Sequence, residues 1–122
     1  MPAIRASAGA FVAALLLFSS LCAVQAKTIP LTWVHGRWFA NINACVGDTV
    51  AFSWSNGSQH DVVEVKSRTC SAAGGSRLTG VSTKGYKAVK LSKAGTRHFM
   101  CSVGPHCALG QTVTVTAKSC SG

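Results

Sequence analysis

Acidic side chains are nearly missing from this chain: Asp48, Asp61 and Glu64 are the only three in 122 residues, against twelve Lys and Arg. Such an imbalance leaves a basic surface suited to an acidic partner protein, an anionic polysaccharide or a lipid headgroup. Nucleic acid fits less well, because aromatic residues make up only 7% and the basic residues stand singly among Ser, Gly and Thr. No stretch shows the apolar stripe of an amphipathic helix, which argues against a helical fold. No apolar run is long enough to cross a bilayer as a helix, and the C-terminal "TAKSCSG" offers no apolar tail to exchange for a lipid anchor. Internal repeats and dividing linkers are also missing, so one domain is expected.

The N-terminus does carry a signal. Arg5 precedes an apolar run from Ala8 to Phe18 and then small residues, the layout of a secretory signal peptide. Val24-Gln25-Ala26 places cleavage after Ala26, so residues 1–26 are expected to be a leader and residues 27–122 a secreted, extracellular, monomeric domain without a membrane anchor. Removal of 26 from 122 residues leaves 96, enough for one core that buries roughly 60–70% of the unfolded surface. Eleven Lys and Arg then face the three acids, a formal charge of +8. Five cysteines remain, at 45, 70, 101, 107 and 120. In an oxidising compartment thiols pair, and an odd count leaves one that needs a metal, a nucleophilic role or an intermolecular partner.

Apolar residues recur with period two in short runs, the signature of strands. In Thr49 to Trp54, Val50, Phe52 and Trp54 share one face; in Gln111 to Thr116, Gln111, Val113 and Val115 do. "DVVEV" (61–65), "YKAVKL" (86–91) and "RHFMC" (97–101) read as further strands, parted by the turn-rich "SNGSQ", "SAAGGS" and "SKAGT". The fold class expected is all-β, an antiparallel sandwich or small barrel. Between Lys27 and Ala44, Ile29, Leu31 and Trp33 suit the start of an edge strand, and Gly36-Arg37-Trp38 a turn leading to a buried ring.

The stretch "FMCSVGPHCALGQ" (99–111) carries the chemistry. Cys101 shares strand parity with Phe99, and Gln111 with Val113, so thiol and amide both aim at the interior. His106 lies on the loop between them, bent at Gly104-Pro105, and the spacing Cys-x4-His-x4-Gln lets the three side chains converge. His60, after "SNGSQ" and at the head of a strand, is the candidate fourth donor. Two imidazoles and a thiolate with a weak axial oxygen describe a blue-copper electron-transfer site. A full ligand set leaves no open position for substrate, unlike a catalytic zinc site. A cysteine hydrolase with Cys101 as nucleophile and His106 as base lacks a helix N-terminus or oxyanion loop to activate the thiol. Zinc fits less well, since Gln is an unusual zinc ligand and copper binds such donors more tightly.

"VGDTVAF" (46–52), "HDVVEV" (60–65), Cys70 and "GTRHFMCSVGPHCALGQTVTV" (95–115), in this order, resemble the phytocyanins, small secreted plant-type blue copper proteins of the cupredoxin superfamily. The resemblance spans Cys45 to Val115 and looks most like the stellacyanin type, because Gln111 stands where other members carry Met. It implies a Greek-key β-sandwich of cupredoxin type and no enzymatic activity. It also implies one type 1 copper ion held by His60, Cys101, His106 and Gln111, a Cys70–Cys107 disulfide, and the exposed edge of His106 as electron port. Cys45 and Cys120 are then left as a further candidate pair, on parity of count alone. The chain departs from the family pattern in its short segment before Val46, its short gap from His60 to Cys70, and His98 where an aromatic ring is common.

His98 falls on the strand face opposite Cys101 and reads as a surface or second-layer residue, and His35 as a polar loop residue. Asn56-Gly57-Ser58 is an N-glycosylation sequon and also a favoured hairpin turn. The function expected is single-electron transfer in the extracellular space, with an acidic protein or small-molecule reductant as redox partner. The alternative is a copper-binding cell-wall or signalling protein whose basic surface, meeting anionic cell-wall polysaccharide, carries the role.

Overall fold

The computed structural model describes residues 25–121, and most of the leader expected at residues 1–26 lies outside them. Eight strands follow one another with no helix among the described residues: β1 (Thr28–Thr32), β2 (Ile42–Cys45), β3 (Thr49–Trp54), β4 (Val63–Val65), β5 (Ser76–Arg77), β6 (Gly85–Lys90), β7 (Gly95–Met100) and β8 (Thr112–Lys118). They form a three-stranded sheet ordered β1-β3-β6 and a five-stranded sheet ordered β2-β8-β7-β4-β5. The five strands expected from period-two patterning are all present, with ends shifted by up to two residues.

The antiparallel expectation needs correction at two edges. β1 pairs with β3, and β2 with β8, in parallel. The N-terminal segment adds one strand to an edge of each sheet, crossing between layers through residues 33–41. Such a crossing permits parallel neighbours that a tight hairpin cannot make.

The core lies between the inner faces. Trp33 continues the inward parity of Ile29 and Leu31 and is fully buried. Its ring meets Phe52 edge-on at 5.0 Å, and Phe52 meets Phe99 at 5.2 Å. Val50, Val113, Val115 and Leu91 close around them, each worth about 1.5–3 kcal/mol when wholly removed from water. The buried ring expected after the Gly36 turn is therefore not Trp38, which is 70% exposed, but Phe39, stacked on Trp33 at 5.4 Å. A Trp at the tip of a turn has no layer above it, whereas the next residue points inward. Gly85 lies flat on the Trp54 indole, where any β-carbon would overlap the ring.

The five-stranded sheet is also covered on its outer face. Val63, Val65, Met100, Cys107 and Ala72 form a small second cluster beneath residues 66–75, which the Cys70–Cys107 disulfide straps down. Arg68 in that strap donates to the carbonyls of Phe39 and Thr112. This cover buries Thr112 and Thr114, which alternation alone places at a surface. Asp48 closes the turn between β2 and β3 by accepting from the backbone N–H groups of Lys27 and Cys45.

A second disulfide joins Cys45 to Cys120 across 75 residues. It lies at the end of the sandwich where Cys45 faces Lys118, remote from the start of β8. A loop that long gives the bridge much unfolded-chain entropy to remove. Replacing both cysteines with Ser should lower unfolding free energy by about 2–4 kcal/mol in urea titration. An unchanged midpoint would show that the bridge contributes nothing.

Candidate metal centre

Cys101 leaves β7 at one end of the sandwich, with its backbone N–H donating to the Gln111 carbonyl at 3.1 Å. That bond brings the two ends of the loop 102–110 together. Inside it, His106 donates to the Val103 carbonyl, and the His106 carbonyl accepts from both Leu109 and Gln111. These turn bonds hold the His106 backbone beneath the mouth of the loop. His60 is fixed from the other side: its backbone exchanges hydrogen bonds with Ser82 at 2.9 and 3.0 Å, and Trp54 Nε1 donates to the same Ser82 carbonyl.

The result is a convergence of donors. The Cys101 Sγ lies 3.5 Å from His106 Nδ1 and 3.9 Å from His60 Nδ1. One ligand atom from each of the three residues falls within a 4.8 Å span. Cys101 and His60 are wholly buried, and His106 is half-buried. Cys101 is the one free cysteine among the described residues. Gln111 is also fully buried, and neither its Oε1 nor its Nε2 has a hydrogen-bond partner. A buried amide without a partner is costly unless something else satisfies it.

Electrostatics agree with that reading. Burial pushes the Cys101 thiol up to about 11, against the pull of N–H groups from Asp61 and Val103. Burial, then the neighbouring rings, pushes His60 and His106 below the ordinary histidine value, so both are neutral donors near pH 7. A cation that replaces the thiol proton reverses the cost of a buried thiolate. Thiolate plus two neutral imidazoles is a donor set suited to copper, so the residues present fit that ion.

Outer contacts orient these side chains. Asn56 Oδ1 lies 3.2 Å from His60 Nε2, so a ring proton held there leaves Nδ1 facing the thiol. Asp61 is fully buried and accepts from the Ser102 backbone N–H at 2.7 Å, from the Ser102 hydroxyl and from Arg77. It thereby ties the residue after His60 to the residue after Cys101. Burial raises the Asp61 carboxyl, but the bonds from Ser102 and Arg77 outweigh it and hold the group below its usual 3.8.

Three of the four sequence-predicted donors, His60, Cys101 and His106, are brought into one cluster, and Gln111 is buried at the far end of the 102–110 loop, its carbonyl bonded to the Cys101 N–H. Cys70 and Cys107 are bonded to each other, as are Cys45 and Cys120. His98 lies apart, its Nδ1 3.0 Å from Thr114 Oγ1. His35 is a correction. Its ring stacks on His106, 4.1 Å between centroids with planes 17° apart, so it belongs to the site rather than to a free loop. No spacing in the sequence signals this. Asn56, read only as a sequon and turn, has a signal in hindsight: a turn amide four residues before a histidine donor.

A two-layer β-sandwich with a His-Cys-His cluster at one end defines a mononuclear copper protein of the cupredoxin fold. The plastocyanin-like domain family matches residues 28–111. The chain is 37% identical over 90 residues to a chemocyanin from Lilium longiflorum, covering 70% of this chain and 68% of that one. It is 30% identical over 91 residues to a blue copper protein from Pisum sativum, covering 75% of this chain but 45% of that longer one. Among solved structures, cucumber basic protein, a blue copper protein, superposes with a TM-score of 0.50 at 26% identity, covering 70% of this chain and 90% of that one. The chain belongs to the plastocyanin-like domain family, in its phytocyanin branch, and takes one copper ion.

Two measurements probe the site. Adding Cu(II) to the metal-free protein at neutral pH should release about one proton per ion, from the thiol and none from the imidazoles. Calorimetry in buffers of differing ionisation enthalpy reads this, and release of two would show a protonated histidine. Asp61→Ala should cost about 1–3 kcal/mol for the stranded Ser102 N–H. Because the folded carboxyl sits below 3.8, its contribution is in place above that pH and fades as pH falls further. The variant should therefore show a flatter acid limb of stability against pH than wild type.

Proposed function

We propose that the protein is a secreted carrier of single electrons, with copper held by His60, Cys101 and His106 and Gln111 as the weak axial donor. When bound, copper supplies the one-electron couple between Cu(II) and Cu(I). The chain supplies everything that keeps that couple inexpensive to run. One observation carries the reading: Cys101 is buried and unpaired while every other cysteine described is in a disulfide, and two neutral histidines face its sulfur. A thiol so placed has no access to substrate, which speaks against a hydrolase.

The supports are set before any electron moves. The Cys70–Cys107 disulfide, the turn bonds of the 102–110 loop and the Asp61–Ser102 clamp restrain the ligand residues, so little needs to rearrange between oxidation states. Gln111 brings an amide oxygen that no protein donor engages, consistent with an axial role. His106, half-buried at the surface end of the cluster, is the route by which an electron enters or leaves. Cupredoxins are electron carriers rather than classic enzymes.

The acidic residues explain the choice of partner. Asp48 is turned onto backbone N–H groups, Asp61 meets Ser102 and Arg77, and Glu64 takes a two-pronged bond from Arg97 at 2.6 and 2.7 Å. None is left to offset the surface lysines, so an acidic protein is steered toward the molecule with a rate that falls as salt rises. The leader expected at 1–26 supports a location outside the cell, in the apoplast or cell wall. Asn56 is exposed there, with its Oδ1 facing His60 and Ser58 and its Nδ2, the atom a glycan takes, in none of the described hydrogen bonds. The same unneutralised surface favours a second reading, in which binding anionic polysaccharide is the role and copper is structural.

Copper titration of the purified protein tests the first reading. An intense visible thiolate-to-copper band should appear in wild type and vanish in Cys101→Ser, and Gln111→Met should raise the reduction potential. A colourless wild-type product would overturn the copper assignment, and an unshifted potential would remove Gln111 from the coordination sphere. Full biological activity of Cys101→Ser would favour the surface reading.

A further inference from the structure

Residues 33–39 lie across the ligand loop, and three contacts hold them there. Trp33 Nε1 donates to the Asp61 carbonyl at 2.8 Å, and Gly36 N–H donates to the Leu109 carbonyl at 3.0 Å. Gly110, with φ at +102°, lets the Arg37 carbonyl pass where a β-carbon would collide with it. This docking delivers the His35 ring onto the face of His106, nearly parallel at 4.1 Å, with His60 further off at 5.8 Å.

The two candidate copper histidines are otherwise restrained unequally. His60 is fully buried and its Nε2 meets Asn56. His106 is half-buried, and the only side-chain hydrogen-bond contact described for its ring is the one between Nδ1 and the Cys101 sulfur. The loop bonds fix its backbone, not the rotation of its ring. Metal-binding imidazoles are normally oriented by a partner beyond the metal, and His106 lacks a hydrogen-bonding one. His35, for its part, makes no described hydrogen bond or salt bridge; its ring contacts are with histidines of the site.

We propose that His35 is a positioning residue of the metal centre: by stacking, it does for His106 what Asn56 does for His60. This rests on His106 being a copper ligand. The stack restrains the ring through its face while His106 stays half-buried, so the ligand is preorganised without being covered. A stacked ring pair changes a conformational equilibrium by about two- to tenfold, and copper affinity follows by the same factor.

The test compares the full protein with His35→Ala and His35→Phe. In the metal-free state, long-range proton–nitrogen NMR should show one fixed His106 ring environment in wild type and His35→Phe. In His35→Ala the His106 signals should average while those of His60 stay put. Copper affinity should fall about two- to tenfold in His35→Ala and return in His35→Phe. An unaveraged His106 ring in His35→Ala, or no rescue by Phe, overturns the proposal. A wild-type protein that binds no copper would instead defeat the ligand reading, while the metal-free ring measurement still decides whether His35 positions His106.

Discussion

The sulfur of Cys101 must be buried, near two imidazoles and yet alone, in a chain with four other cysteines from position 45 onward. A free thiol beside accessible cysteines exchanges and pairs. The fold prevents this by geometry. Cys107, six residues away in sequence, is turned to the opposite side of the ligand loop and bonded to Cys70 in the strap over the outer sheet face. Cys45 and Cys120 are joined at the far end of the sandwich. Each bridge therefore does two things: it restrains the unfolded chain, and it removes a competitor for the sulfur at the centre. The same arrangement orders the loop, because Cys107 is anchored outward while its neighbour His106 is directed at the thiol.

The scarcity of carboxylates acquires a structural meaning from where the three are used. Asp48 and Asp61 are fully buried, and each spends its oxygens on N–H or O–H groups that would otherwise be unpaired. Asp61 matters most, because it follows His60 and grips the residue after Cys101. One carboxylate thus couples the two segments that carry the cluster. A chain with more acidic residues near the ligands would also place competing oxygen donors and negative charge beside a buried thiol. All three acids are engaged in structure, and no lysine side chain among the described residues pairs with one.

Much of this was legible because strand parity is a strong constraint. Period two aims Cys101 with Phe99 and Gln111 with Val113, and all four prove buried to the last atom or nearly so. The pairing of residue types then points to a copper-type donor set without any contact being known. The remainder depends on tertiary contacts that leave no local period. β2 has four residues and β5 two, too short for alternation to register, whereas β1, an edge strand continuous through Pro30, is the one that Ile29 and Leu31 suggest. The buried outer-face threonines of β8 follow from the strap and Arg68, which sequence neighbours do not announce. His35 is the clearest case. Its place depends on a turn at Gly36, a glycine at 110 that tolerates close approach, and an indole bonded to Asp61, three features spread over most of the chain.

The contacts that place His35 fall on the His106 side of the site, and the two histidines of the cluster are restrained differently. His60 is immobilised in the way interior residues usually are, by full burial and a hydrogen bond. His106 is only half-buried, and its ring has no described side-chain hydrogen bond beyond the Cys101 sulfur. Stacking restrains an imidazole through its face and leaves its edge open. The N-terminal segment, which adds an edge strand to each sheet and between them folds across the mouth of the ligand loop, thus supplies a restraint that a half-buried ring can accept.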